Sequence, residues 1–201
     1  MKKVTSHIYS NNKTKHKKPF KHPNYHLTEK QVMKITDVIN AAHDRGIEIN
    51  RFWTIHLQGS AFEHRPQELL NKIMKNSREW LGRRNIEHVY VWTLENGKDK
   101  GIHAHLMMHV PRRKQNAFRR ALFAWTGLEK KRFKHIEILY PPWRCKNYYN
   151  KALGVKKYIC KGVLKTGRYS EQPIEEILPK FQGRIIGRRC GMSKVSKRQP
   201  Y

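Results

Sequence analysis

The segment Gly101-Ile102-His103-Ala104-His105-Leu106-Met107-Met108-His109-Val110 alternates two kinds of side chain. Successive residues of a strand face opposite ways, so His103, His105, Met107 and His109 share one side, and Ile102, Ala104, Leu106, Met108 and Val110 share the other. The second side is uniformly apolar and must meet a core. On the first, imidazoles one pleat apart can converge on a single cation. A carboxylate can join them from the preceding strand. If Val89 to Glu95 pairs back across the turn Asn96-Gly97-Lys98-Asp99-Lys100-Gly101, Glu95 lies beside His103. Two imidazoles and a carboxylate leave coordination positions for water and a phosphate oxygen, which suits Mg²⁺ or Mn²⁺ as a Lewis acid. The chain holds 12 histidines, so the competing reading is a solvated strand face that merely carries some of them. His56, His64 and His88 are read as structural or surface groups.

A second group comes later, in Lys156-Lys157-Tyr158-Ile159-Cys160-Lys161-Gly162. On a helix Tyr158 and Lys161 stand at i and i+3, on one face. A phenol titrates at about 10 and is a poor nucleophile near neutrality. A neighbouring ammonium favours the phenolate and steadies charge building on a phosphate. Tyr148-Tyr149-Asn150-Lys151 repeats the pattern upstream, but about 15 Å of helix and roughly 80° of rotation separate Tyr148 from Tyr158. Both cannot serve one phosphate without a bend. Tyr148 and Tyr149 fit base stacking or core packing better than catalysis, although a catalytic role for one of them stays open.

These groups need elements to hold them. Thr28-Glu29-Lys30-Gln31 is a capping box, and the helix it starts carries Val32, Ile35, Val38, Ile39 and Ala42 on one face, ending near Gly46. Phe52 to Leu57 reads as a strand. Pro66 opens an amphipathic helix through Leu69, Leu70, Ile73, Met74, Trp80 and Leu81, with Gly82 near its end. Glu87 to Glu95 and Ile102 to Val110 form a hairpin. A helix from about Gln115 to Trp125, a strand Phe133 to Tyr140, a helix from about Lys146 to Leu164 and a short strand at Ile185-Ile186 complete the order. The reading is α+β: a central antiparallel sheet of about five strands with flanking helices, most simply with the helices on one face. Residues 1–27 read as a basic flexible arm, 28–190 as the folded domain and 191–201 as a basic tail.

Composition points the same way. The 201 residues carry 43 Lys and Arg against 15 acids, a formal net charge of +28. So large an excess repels itself in a compact state unless a polyanion neutralises it, and nucleic acid is the obvious one. Cys145, Cys160 and Cys190 form neither a disulfide framework nor a CxxC pair. Apolar runs are too short to span a bilayer, and no apolar stretch follows the basic N-terminus, so a cytoplasmic protein without a membrane partner is expected. No GxxxxGK[ST] segment is present, which excludes a fused P-loop helicase.

Three segments together resemble one family. Arg51-Phe52-Trp53-Thr54-Ile55-His56-Leu57 resembles motif I of rolling-circle replication initiators, an apolar strand with a central Thr. Gly101 to Met107 is similar to their HUH motif, and Lys157-Tyr158-Ile159-Cys160-Lys161-Gly162 to their YxxK motif. Gly183 to Gly191 also resembles the end of plasmid and phage members. The chain resembles the HUH endonuclease superfamily over about residues 45–195. The resemblance implies a ferredoxin- or RRM-like five-stranded fold, and a divalent metal, Mg²⁺ or Mn²⁺, on His103, His105 and Glu95. It implies that Tyr158 attacks the scissile phosphate to leave a 5′-phosphotyrosine and a free 3′-OH, with Lys161 beside it. Ala104 is small for the middle position of the HUH motif, and the tyrosine spacing departs from the two-tyrosine members, favouring a single nucleophile. Single-stranded DNA at a replication origin, near a hairpin, is the implied partner, with a host helicase and polymerase. Lys157, Arg112, Arg113, Arg188, Arg189 and His109 are the expected nucleic-acid contacts. The alternatives are a relaxase or single-strand transposase of the same superfamily, and a basic nucleic-acid-binding protein without activity.

Overall fold

The computed structural model describes residues 25–136, 148–161, 163–164 and 183–194. Helix α1 (Glu29–Asp44) starts at the capping box: Gln31 N donates to Thr28 Oγ1 at 3.2 Å, and Thr28 N donates back to Gln31 Oε1 at 2.9 Å. Two of the helix's otherwise unmatched N-terminal N–H groups are thereby satisfied. Its end is closed by Gly46 N on His43 O and Ile47 N on Ala42 O, each 2.8 Å. Helix α2 (Pro66–Gly82) starts without a side-chain cap, on Pro66, whose missing N–H costs nothing in the first turn. Helices α3 (Gln115–Thr126) and α4 (Tyr148–Ile159) follow.

The main sheet has five strands in the order β5-β2-β4-β3-β7, all neighbours antiparallel. They are β2 (Arg51–His56), β3 (Tyr90–Gly97), β4 (Gly101–Met108), β5 (Phe133–Ile136) and β7 (Cys190–Met192). A separate parallel pair joins β1 (Leu27–Thr28) to β6 (Val163–Leu164). The α+β reading therefore stands, with three differences of detail. The last strand is Cys190–Met192 rather than Ile185-Ile186, so Gly191 and Met192 belong to the sheet and not to a tail. Leu27, at the end of the basic arm, is buried and paired with Val163. Tyr140, the far end of the expected fourth strand, lies outside the described residues, as do residues 1–24 of the arm and Cys145.

The third difference is larger: helices cover both faces of the sheet. Trp53, Ile55, Trp92, Leu94, Ala104, Leu106 and Met108 pack with α2 and α3 residues such as Leu70, Ile73, Phe118 and Leu122. Phe52, Val91 and Met107, one residue out of step, pack with Ile35, Ile39, Ala152 and Ile159 of α1 and α4. Each such aliphatic side chain withdrawn from water contributes about 1.5–3 kcal/mol, so a face carrying Phe52, Val91 and Met107 has to be covered. Period-two alternation thus builds two cores from one set of strands. Among the described residues no helix is long and apolar enough to cross a membrane.

Candidate active site

The α1/α4 face of the sheet is apolar at one end and polar at the other. Antiparallel pairing places Glu95 opposite His103 and Thr93 opposite His105. On the other side of β4, Thr54 stands opposite His105 and His56 opposite His103. Directly opposed residues share a face, so β2, β3 and β4 together aim Thr54, His56, Glu95, His103 and His105 at one patch.

Glu95, His103 and His105 are all buried, Glu95 to 3% exposure. His103 Nε2 lies 3.3 Å from Glu95 Oε2, and His105 Nε2 lies 3.4 Å from Glu95 Oε1. One ligand atom from each of the three residues falls within 4.8 Å of the others. The second ring nitrogens are occupied elsewhere. His103 Nδ1 donates to the Gly101 carbonyl at 3.0 Å, which can only accept, so Nε2 carries the lone pair. His105 Nδ1 is hydrogen-bonded to Thr54 Oγ1 at 3.0 Å, which supports the same tautomer. His105 Nε2 is then left buried without a hydrogen bond. A buried polar atom in that state is costly unless a cation fills the gap.

The electrostatics agree. Burial pushes the Glu95 carboxyl up, but the facing His103 and His105 rings and the nearby charge of Lys161 outweigh it and hold the group well below the usual carboxylate range. Burial pulls His105 below its ordinary value, against the opposing pull of Glu95. An ionised carboxylate and a neutral imidazole are the forms that bind a metal ion. A donor set of two nitrogens and one carboxylate oxygen, open on one side, fits a divalent cation.

Tyr158 reaches this patch from α4. Its ring centroid is 5.3 Å from that of His105 and 6.3 Å from that of Phe52, and 46% of the residue remains exposed. Lys161 lies between the two groups, with Nζ 3.1 Å from Glu95 Oε2 and 4.0 Å from the centre of the Tyr158 ring. Helix α4 is pinned to α1 by its other residues. Tyr149 stacks on His43 at 4.3 Å and donates its hydroxyl to Asn40 Oδ1 at 2.9 Å, while Lys156 Nζ donates to Thr36 Oγ1 at 3.3 Å. Tyr149 is therefore a packing residue. Tyr148 opens α4, and its side chain lies outside the described residues.

The structure brings Glu95, His103, His105, Tyr158 and Lys161 together and leaves other candidates apart. Lys157 is exposed next to Tyr158 on α4, and Arg188 is exposed beside α2, its carbonyl accepting from Gln67 Nε2. Arg112 and Arg113 are exposed just beyond the far end of β4, away from the β3–β4 turn. His109 lies at that end too, with Nδ1 2.6 Å from the Glu48 carbonyl, and burial lowers its pKa. Arg189 requires a correction. It is fully buried, with Nη1 donating to the Leu94 carbonyl at 3.1 Å and Nη2 to that of Gly183, so it offers no surface to a phosphate. Sequence reasoning also passed over His56, whose ring centroid is 5.8 Å from that of His103. Its place two residues after Thr54 on β2 was the available signal.

A family model described as replication-associated protein, of the ORF2 type, matches residues 50–167. The chain belongs to that family. The matched span runs from the residue before β2 to just past β6, and so includes Thr54, Glu95, both ligand histidines, Tyr158 and Lys161. Membership of the replication-associated family ties the chain to DNA replication. No curated protein and no solved structure matches the chain.

Proposed function

We propose that this replication-associated protein is a single-strand DNA endonuclease that uses Tyr158 to open a strand and start rolling-circle replication. The observation that carries the reading is the Tyr158 ring set against His105, with Lys161 reaching from that ring to Glu95. A phosphodiester laid on this corner would touch the phenol, the ammonium and the ligand set at once.

In this reading Nε2 of His103, Nε2 of His105 and the Glu95 carboxylate hold Mg²⁺ or Mn²⁺, which when bound polarises a phosphate oxygen. Tyr158 gives up its phenolic proton and attacks phosphorus. The new oxygen–phosphorus bond forms as the bond from phosphorus to the 3′ oxygen breaks, and that oxygen gains a proton. The products are a 5′-phosphotyrosine and a 3′-OH that a polymerase can extend. Lys161 steadies the phenolate and the charge on the phosphate. One phosphodiester is exchanged for another, so the reverse attack rejoins the ends without ATP.

The partner is single-stranded DNA at a replication origin, near a hairpin, in the cytosol, with a host helicase and polymerase acting on the product. Lys157 and Arg188 would contact the backbone near the site. Arg112 and Arg113 would meet flanking DNA together with Lys114, Arg119 and Arg120. All five are exposed, and no acid occurs between Asp99 and Glu129 to neutralise them.

The test is to incubate the protein with single-stranded oligonucleotides from its own replicon and Mn²⁺, then resolve the products on a denaturing gel. A covalent protein–DNA adduct is expected, and EDTA or His105→Ala should abolish it. Cleavage that persists in chelator discards the metal assignment. Tight binding with no adduct favours the non-enzymatic basic binder that the +28 charge also suits.

A further inference from the structure

The segment from Gly183 to Ser193 lies outside the family match and runs as a strap along the free edge of β3. Arg189 is its centre. The residue is 0% exposed, and burial lowers its guanidinium to about 10, which leaves it charged at neutral pH. A buried cation is costly unless its surroundings answer it. Arg189 is answered at Leu94, the residue just before Glu95. Its Nη1 donates to the Leu94 carbonyl at 3.1 Å, and its own carbonyl accepts from Leu94 N at 2.7 Å. One residue thus holds both backbone polar groups of Leu94.

The strap also holds the residue after Glu95. Asn96 Nδ2 donates to the Arg184 carbonyl at 3.2 Å. Gly183, at φ +69°, sits so close to Asn96 that any Cβ there would collide with the Asn96 carbonyl. The Arg189 Nη2 donates to the carbonyl of this same glycine. Glu95 is therefore fixed on both sides along β3 by contacts that converge on Arg189, and the charge of Glu95 reaches that guanidinium.

We propose that Arg189 is a positioning residue for the metal site: through Leu94 and the strap it sets where the Glu95 carboxylate stands relative to His103 and His105. The inference rests on the metal reading of that cluster. A ligand displaced by even a fraction of an ångström binds its ion less well, and groups that orient ligands typically contribute about 10–100-fold in affinity. Lysine in place of arginine keeps the charge and loses the planar fork that grips two carbonyls.

The experiment measures Mn²⁺ binding to the full chain, by the electron paramagnetic resonance signal of free Mn²⁺, well below the melting temperature of each variant. The wild type should bind Mn²⁺ and His105→Ala should not. Arg189→Met should fold, by circular dichroism, yet bind Mn²⁺ about 10–100-fold more weakly, with Arg189→Lys recovering part of the loss. A folded Arg189→Met with wild-type affinity overturns the inference and leaves the metal reading intact. No Mn²⁺ binding by the wild type overturns both. If Arg189→Met fails to fold, Arg189→Lys carries the test, and unchanged affinity in that variant overturns the proposal. A merely structural role would lower the melting temperature of metal-free protein without changing affinity at low temperature.

Discussion

Along β4, Ala104, Leu106 and Met108 turn to α2 and α3, while His103, His105 and Met107 turn to α1 and α4. The same strands thus serve two environments. On the α2/α3 side, the clustered residues are apolar from Trp53 to Met108. On the other side the apolar packing of Phe52, Val91 and Met107 gives way, toward the β3–β4 turn, to Thr54, His56, Glu95, His103 and His105. A carboxylate and two imidazoles sit buried there without unfolding the sheet because the opposite face supplies continuous burial. Stability and chemistry are therefore separable, and substitutions on the two faces should have different signatures.

The largest expected effect belongs to the polar side. Tyr158→Phe removes only the hydroxyl of a residue that is 46% exposed. Adduct formation and nicking, read on a denaturing gel, should fall by more than about a thousandfold. The melting temperature and the affinity for single-stranded DNA should stay near wild type. Nicking that survives in Tyr158→Phe would move the nucleophile elsewhere and undo the division between the faces.

The mirror experiment is Leu106→Ala. Leu106 is fully buried on the α2/α3 face, next in sequence to His105. Truncation there should cost about 2–5 kcal/mol in urea unfolding. Mn²⁺ affinity below the melting range should change little, because the ligands face the other way. A large loss of Mn²⁺ binding in the folded variant would mean that the two cores are mechanically coupled through β4.

Acid should also act on the α2 side. His88 has Nε2 2.8 Å from Ser77 Oγ on α2, and burial first, then the charge of Arg78, lowers its pKa from 6.5 to about 4. The unfolded chain takes up this proton near 6.5 and the folded one only near 4. Stability from this group is therefore complete above the unfolded value and is lost as pH falls from 6.5 toward 4, by up to roughly 3 kcal/mol. His88→Gln should flatten that part of the stability-against-pH curve. An unchanged slope would show that the ring is not the group being titrated.

Much of this was readable in advance, for physical reasons that name their own limits. The capping box at Thr28 and the alternation through His103 and His105 are local signals, and the turn from Asn96 to Gly101 set the register that brings Glu95 opposite His103. The second helical layer was hidden because Phe52, Val91 and Met107 are interleaved with polar site residues, so no single strand shows a second apolar face. The last strand was hidden by its brevity and by Gly191, which reads as a turn residue. It is needed there because a Cβ would collide with the Trp92 indole on the neighbouring strand. Arg189 reads as a phosphate ligand in any basic tail, since only the fold shows that its guanidinium is turned inward onto Leu94 and Gly183.

The subtlest test lies between the faces, at Thr54. Its hydroxyl makes no contact with any proposed substrate group, yet it meets His105 Nδ1 at 3.0 Å and so determines which ring nitrogen is free for an ion. Thr54→Val keeps the branched shape inside β2 and deletes that partner. The ring is then free to carry its proton on Nε2, directed at Glu95, and Mn²⁺ must displace it. Mn²⁺ affinity should fall about 10–100-fold, with nicking restored by raised Mn²⁺ and with little change in melting temperature. If Thr54→Val binds Mn²⁺ as the wild type does, the tautomer is fixed by Glu95 alone, and the polar face needs less support from β2 than its geometry implies.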